Sequence, residues 1–139
     1  MNYYNLFKLA NYFNKLAHGE ELKPIVTIYP NHSGADIDEA ELKKSELSVD
    51  YISADQCTFN EPESKVKHFG AMFKIHQMKK AIKKGEHLPP VVVIPQDGKY
   101  LIVDGHHRFT AYRQLKLDKI PAIIVSNDRV AYSDTYWQE

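Results

Sequence analysis

The chain has 139 residues, 43% of them hydrophobic, 26% charged and 12% aromatic, which suits one globular domain with a core of its own and leaves little room for a second. Lys plus Arg and Asp plus Glu number 18 each, so no net field draws in a polyanion. The single cysteine, Cys57, rules out an internal disulfide, and no apolar run has the length of a signal peptide or a membrane span, so a cytoplasmic protein away from membranes is expected.

Apolar residues Leu6, Leu9, Ala10, Phe13 and Leu16 recur at three- and four-residue intervals, which predicts a helix over 5–18 with Gly19 placed to stop it. The β-branched run 24–29 lies between Pro24 and Pro30 and reads as a strand at a sheet edge. Residues 31–45 are polar and turn-rich, a loop with at most one short helical turn. A second short strand is expected over 47–52, followed by an irregular stretch to Ser64. Val66, Phe69, Met72, Phe73, Ile75, Met78 and Ile82 then predict a helix of about five turns between Ser64 as N-cap and Gly85 as the residue after its end. The strands 90–95 and 99–103, separated by Gln96, Asp97 and Gly98, read as an antiparallel hairpin. Phe109, Ala111, Tyr112 and Leu115 resume helical spacing, and 121–125 is the last strand. The tail has no period, and its Tyr132, Tyr136 and Trp137 are expected to pack on the body of the domain.

Charge is unevenly spread. Residues 31–63 are acidic, whereas Lys65, Lys67, Lys74, Lys79, Lys80, Lys83 and Lys84 follow with no acid among them. Lysines in the last turns suit the helix macrodipole and a solvated face. The alternative is contact with nucleic acid along the helix from Lys65 to Lys84.

Asp104, Gly105, His106, His107 and Arg108 stand where an apolar strand ends and a helix begins. A helix start offers unbonded amides and partial positive charge, so the turn is prepared for an anion. Glycine lets the backbone come close, Arg108 offers a planar fork for phosphate oxygens, and either histidine can donate to phosphate or carry a proton. Asp104 is a candidate helix cap, holder of a histidine tautomer, proton acceptor or Mg²⁺ ligand. Adjacent histidines point apart, and His68, His76 and His87 are not spaced to complete a zinc site with them. Cys57 has no neighbour in sequence that would make it a nucleophile.

The run 88–125, and in it the D-G-H-H-R turn at 104–108, resembles the core of the ParB/sulfiredoxin superfamily. The resemblance implies an α+β fold, a small mixed sheet with helices packed on it, and nucleotide binding at the turn. It divides the chain into an N-terminal helix-and-strand extension (1–45), the ParB/sulfiredoxin-like domain (46–126) and a tail (127–139). Sulfiredoxins carry a reactive cysteine where this chain has His106, so sulfinic-acid reduction is not expected. Chromosome partition is also disfavoured, because the residues after Val125 are too few for a DNA-binding region and a dimerisation tail.

The D-G-H-H-R wording is similar to free-serine kinases of the superfamily and to ParB-like nucleases. That likeness implies a nucleotide (ATP, ADP or CTP) with Mg²⁺, a small-molecule acceptor, and phosphoryl transfer or nucleotide hydrolysis. The phosphates would lie at Gly105, His106, His107 and Arg108, with Asp104 and His107 as catalytic candidates and Asp104 toward the metal. In the kinases an acid upstream of the long helix is the base; Glu61 and Glu63 are its candidates here, with Asp55 as an alternative. A non-catalytic module binding DNA or protein is the competing reading, and nuclease action a third.

Overall fold

A computed structural model describes residues 23–29, 35–58 and 69–133. The expected helix over 5–18, the cap Ser64, and Glu61, Glu63, Lys65, Lys67, Tyr136 and Trp137 lie outside the described residues. In chain order the elements are β1 (Val26–Ile28), β2 (Ala35–Ile37), α1 (Glu39–Lys44), β3 (Val49–Ser53), β4 (Cys57–Thr58), α2 (Phe69–Lys83), β5 (Val91–Gln96), β6 (Lys99–Asp104), α3 (His106–Gln114), β7 (Lys119–Ile124) and β8 (Val130–Tyr132). Short 3-10 turns precede β4 and β8. This is the expected α+β class with mixed sheets. No described helix is long and apolar enough to cross a membrane.

Residues 48–124 form one compact unit around a five-stranded sheet of order β3-β7-β5-β6-β4. Its centre is the hairpin β5–β6, which pairs antiparallel as the sequence predicts. Asp97 and Gly98 join it with φ of 53° and 77°, the left-handed pair that matches a two-residue hairpin loop to strand twist. β7 runs parallel to β5 and antiparallel to β3, and β4 runs parallel to β6. Val91, Val92, Val93 and Ile94 are all buried, so β5 is covered on both faces, which is why it reads as an uninterrupted apolar run. Ile102, Ile120 and Ala122 fill the core with Phe109 and Tyr112 of α3, and α2 packs along α3. Lys79 Nζ donates to Gln114 Oε1 across that helix pair at 2.9 Å.

The two described helices of this unit, α2 and α3, end in the same geometry. Past α2, Gly85 has φ 86°, its amide donates to the Ile82 carbonyl and the amide of Glu86 donates to that of Ala81, closing the Schellman pattern expected of a terminal glycine. Past α3, Lys116 takes the same position with φ 60°, the amide of Leu117 reaching back to the Tyr112 carbonyl. A lysine there bears the left-handed penalty that glycine escapes. Lys116→Gly is therefore expected to stabilise the protein by about 0.5–1 kcal/mol in urea unfolding, while an equal change at exposed Lys119 in β7 destabilises.

The other unit comprises residues 1–47 and 125–139, and its described part holds a three-stranded sheet of order β2-β1-β8. Here β1 corrects the edge-strand expectation: it is central, antiparallel to β2 and parallel to β8. Its neighbours, ADI and VAY, are three residues each, too short to show a period in segments read as loop and aperiodic tail. Residues 31–45 also hold more helix than one short turn, since α1 spans six residues with Asp38 as N-cap, its Oδ1 accepting from the Glu41 amide at 3.1 Å. Ile25, Val26, Val125 and Val130 make this unit's buried centre. Tyr132 is half-buried, and burial pushes its hydroxyl pKa up.

Candidate functional site

The strand β6 delivers the D-G-H-H-R residues to one corner. Opposite Val92 and Val93 its register shifts: Val92 pairs with Asp104 but Val93 with Ile102, so β6 carries one extra residue just before the turn. Such a bulge twists a strand and re-aims the side chains that follow it. Gly105, at φ 95° and ψ 32°, then occupies the N-cap position of α3, and its carbonyl accepts from the Phe109 amide at 2.8 Å. Asp104 is thus not the helix cap. Its neighbour's left-handed backbone reverses the chain directly into the first helical turn.

A cleft of about 220 Å³ opens at this corner, lined by Asp104, Gly105, His106, His107, Arg108 and, from α2, Met78. All five motif residues therefore border one space. Met78 was visible in the sequence only as a helix-stripe residue. The first turn of α3 brings amide groups that the helix itself does not satisfy, together with the positive end of its dipole. The two histidines are partly buried, and the Thr110 hydroxyl donates to the His106 carbonyl at 2.9 Å, which ties the second turn to the first.

Arg108 is engaged within the protein. Its Nη2 lies 3.3 Å from Asp104 Oδ2 and also donates to the Pro90 carbonyl at 3.3 Å. The arginine side chain is 19% exposed and the aspartate 51%. A cation in a first helical turn opposes the dipole, and the carboxylate four residues earlier offsets that opposition. The mismatch between Arg108 and its helix therefore has an internal answer, which the i, i+4 spacing of Asp104 and Arg108 already carried.

The remaining candidates are scattered. Glu61 and Glu63 lie outside the described residues, and Asp55 sits exposed in the 3-10 turn before β4. Among the described residues no three His, Cys, Asp or Glu side chains gather as a metal site. An all-protein cage for a cation is therefore not formed by them, and Asp104 is the carboxylate that lines the cleft among the described residues. Cys57 is half-buried with Sγ 3.6 Å from the Ser53 carbonyl; burial pushes its thiol pKa up while the Arg113 guanidinium pulls it down. The sequence sets no helix N-terminus or cation beside it that would lower its pKa. Lys74, Lys80 and Lys83 are exposed along α2 and Lys84 just past its end, in keeping with a solvated face.

A second, larger cavity of about 510 Å³ lies in the same unit. Tyr51, Ile82, Leu88, Pro90, Tyr112 and Leu117 are among its mainly apolar lining, drawn from segments too far apart for sequence patterning to join. Burial pushes the Tyr112 hydroxyl pKa up, and the Arg108 charge acts against that shift.

Comparison with known proteins gives a family and a short local match. The family model for the ParB N-terminal domain matches residues 38–137. An ATP-dependent L-serine kinase of Staphylothermus marinus is 53% identical over 38 residues, which is 26% of this chain and 15% of the kinase. The chain thus matches only a small part of that relative's length. Among solved structures, sulfiredoxin from Arabidopsis thaliana aligns with a TM-score of 0.47 and 22% identity, covering 57% of this chain and 85% of that one. The C-terminally truncated chromosome-partitioning protein ParB from Caulobacter crescentus, complexed with CTP-γ-S, aligns with a TM-score of 0.47 and 20% identity over 57% of this chain and 44% of its own.

Proposed function

The chain belongs to the ParB N-terminal domain family, and from that premise we propose that it binds a nucleoside triphosphate and transfers its terminal phosphoryl group to a small hydroxyl compound. The observation that carries the proposal is the cleft at the start of α3, bordered by every residue from Asp104 to Arg108. Local identity to an ATP-dependent L-serine kinase favours ATP as donor and a serine-like alcohol as acceptor.

In this reading the phosphates lie against the first-turn amides of α3, with His106 and His107 donating to their oxygens and the Arg108 charge close by. The acceptor oxygen bonds to the terminal phosphorus as the bond to the leaving diphosphate breaks, and the acceptor's proton passes to a carboxylate. Glu61 or Glu63 is proposed for that role, upstream of α2. Asp104 would hold Mg²⁺ together with phosphate oxygens; when bound, the ion neutralises charge that builds on them. Positioning and charge stabilisation supply most of what phosphoryl transfer asks of a protein.

Titration calorimetry with ATP and Mg²⁺ tests binding, and phosphorus NMR with L-serine tests transfer. Saturable heat is expected, with phosphoserine and ADP appearing together. His107→Ala should weaken ATP about tenfold, the loss of one charge-assisted hydrogen bond, with the melting temperature kept. If ATP, ADP and CTP all fail to bind in the presence of Mg²⁺, the reading is wrong. Duplex DNA binding that survives the His107 change and disappears on reversing Lys80 and Lys83 would replace it with a nucleic-acid module on α2.

A further inference from the structure

Resting on the phosphate reading of the cleft, we propose that Arg108 is a positioning residue: its guanidinium braces the β6–α3 turn in its anion-cupping shape, and the anion itself is held by amides and histidines.

Three observations converge on this. Nη2 is shared between Asp104 Oδ2 and the Pro90 carbonyl, both at 3.3 Å, so one nitrogen ties the residue before Gly105 to the chain entering β5. The guanidinium also occupies the room a side chain at position 105 would need: a Cβ there would stand 2.7 Å from Nη2 and 3.1 Å from Nε. Finally, Nε is buried and has no hydrogen-bond partner among the described residues. Bidentate phosphate recognition uses either the Nε–Nη2 edge or the two terminal nitrogens. The first edge is closed by the burial of Nε, and the second is compromised because Nη2 is already engaged.

The brace also stands where the ladder is weakest. The bulge opposite Val92 and Val93 interrupts regular pairing one residue before the turn, and the Pro90 carbonyl precedes the first paired residue of β5. The arginine fork supplies a tether at that point. Lysine keeps the charge but presents a point donor on a flexible stem, without the planar group that packs on Gly105.

The test compares wild type with Arg108→Lys and Arg108→Gln, beginning with ligand-free protein. Bracing predicts that amide hydrogen exchange at residues 105–109 speeds up at least tenfold in both variants, although lysine retains the charge. It predicts about a tenfold loss of ATP affinity in EDTA for Arg108→Lys, with the salt dependence of binding unchanged, since no ionic contact to phosphate has been removed. Direct gripping predicts the reverse: wild-type exchange rates in both variants, near-normal affinity with lysine, and a shallower salt dependence with glutamine. That pattern would overturn the proposal.

A measurement on wild type does not depend on variant folding. On adding ATP, the amide resonances of 106–108 should move while the Arg108 Nε–H stays in place; a downfield shift of Nε–H would equally overturn the brace. If wild type binds no nucleotide, the phosphate reading falls, and the exchange rates of the ligand-free variants still decide whether Arg108 holds the turn.

Discussion

Gly105→Ala should destabilise the protein by about 2–5 kcal/mol and reduce nucleotide affinity at least a hundredfold. Two independent costs meet at that residue. Its backbone is left-handed at φ 95°, which carries roughly 1–2 kcal/mol for an L-residue. The added methyl would also lie 2.9 Å from Val91 Cγ1 and 2.7 Å from Arg108 Nη2. Val91 is fully buried and cannot retreat without disturbing the core, and crowding of that kind adds about 1–3 kcal/mol. Gly98 separates the two contributions: it is left-handed at φ 77° but nothing lies within 4 Å of where its Cβ would be. Gly98→Ala should therefore show the backbone cost alone, with normal ATP binding. Urea unfolding of both variants measures the difference. Equal stability of the two would mean that Gly105 is not pressed between β5 and Arg108. Loss of affinity without loss of stability would mean that the turn shifts its shape to admit the methyl, at the expense of the anion cup.

The parts of this architecture that depend on neighbours in sequence were readable from the residues. The Asp97–Gly98 loop carried its own left-handed demand between two apolar runs, so the hairpin followed directly. Gly85 ended α2 for an equally local reason. What needed coordinates was set by distant segments. β1 has the same β-branched residues at a sheet edge as at its centre, and only the pairing with β2 and β8 decides between them. The bulge in β6 leaves no mark in the run Leu101, Ile102 and Val103, which is apolar on both faces.

At the candidate site, the motif showed which residue types gather but not how they divide their work. Asp104 and Arg108 are four apart, a spacing that pairs opposite charges along a helix, and weighing it would have qualified the view of the arginine as a free phosphate fork. The Pro90 carbonyl that shares Nη2 with Asp104 is a backbone group, invisible to any reading of side-chain types. The same fork that favours phosphate also favours a carboxylate and a carbonyl held nearby, and folding supplies those partners before any ligand arrives.

The turn is only as well placed as the strand that carries it, which makes Ile102→Ala the other large expected effect. Ile102 is fully buried in β6, opposite Val93, and belongs to the cluster joining Val91, Ile120 and Ala122 to Phe109 and Tyr112 of α3. Truncation removes three carbons from a close-packed site bordered by β-sheet and helix, where relaxation is limited, so a loss of about 2–5 kcal/mol is expected in urea unfolding. Ile102→Val removes one methylene and should cost about 0.5–1.5 kcal/mol. Met72→Ala on α2, where the side chain is 56% exposed, should change stability by less than about 0.5 kcal/mol. The functional consequence follows from position: α3 rests on this cluster through Phe109 and Tyr112, so a cavity under it loosens the first turn of α3, which begins four residues after Ile102. Accordingly Ile102→Ala should lower ATP affinity even where the protein remains fully folded, whereas Ile102→Val should leave it within twofold. Unaltered affinity in a folded but destabilised Ile102→Ala protein would show that the cup is held by its own local contacts, with Arg108 sufficient to keep it and the core beneath it dispensable.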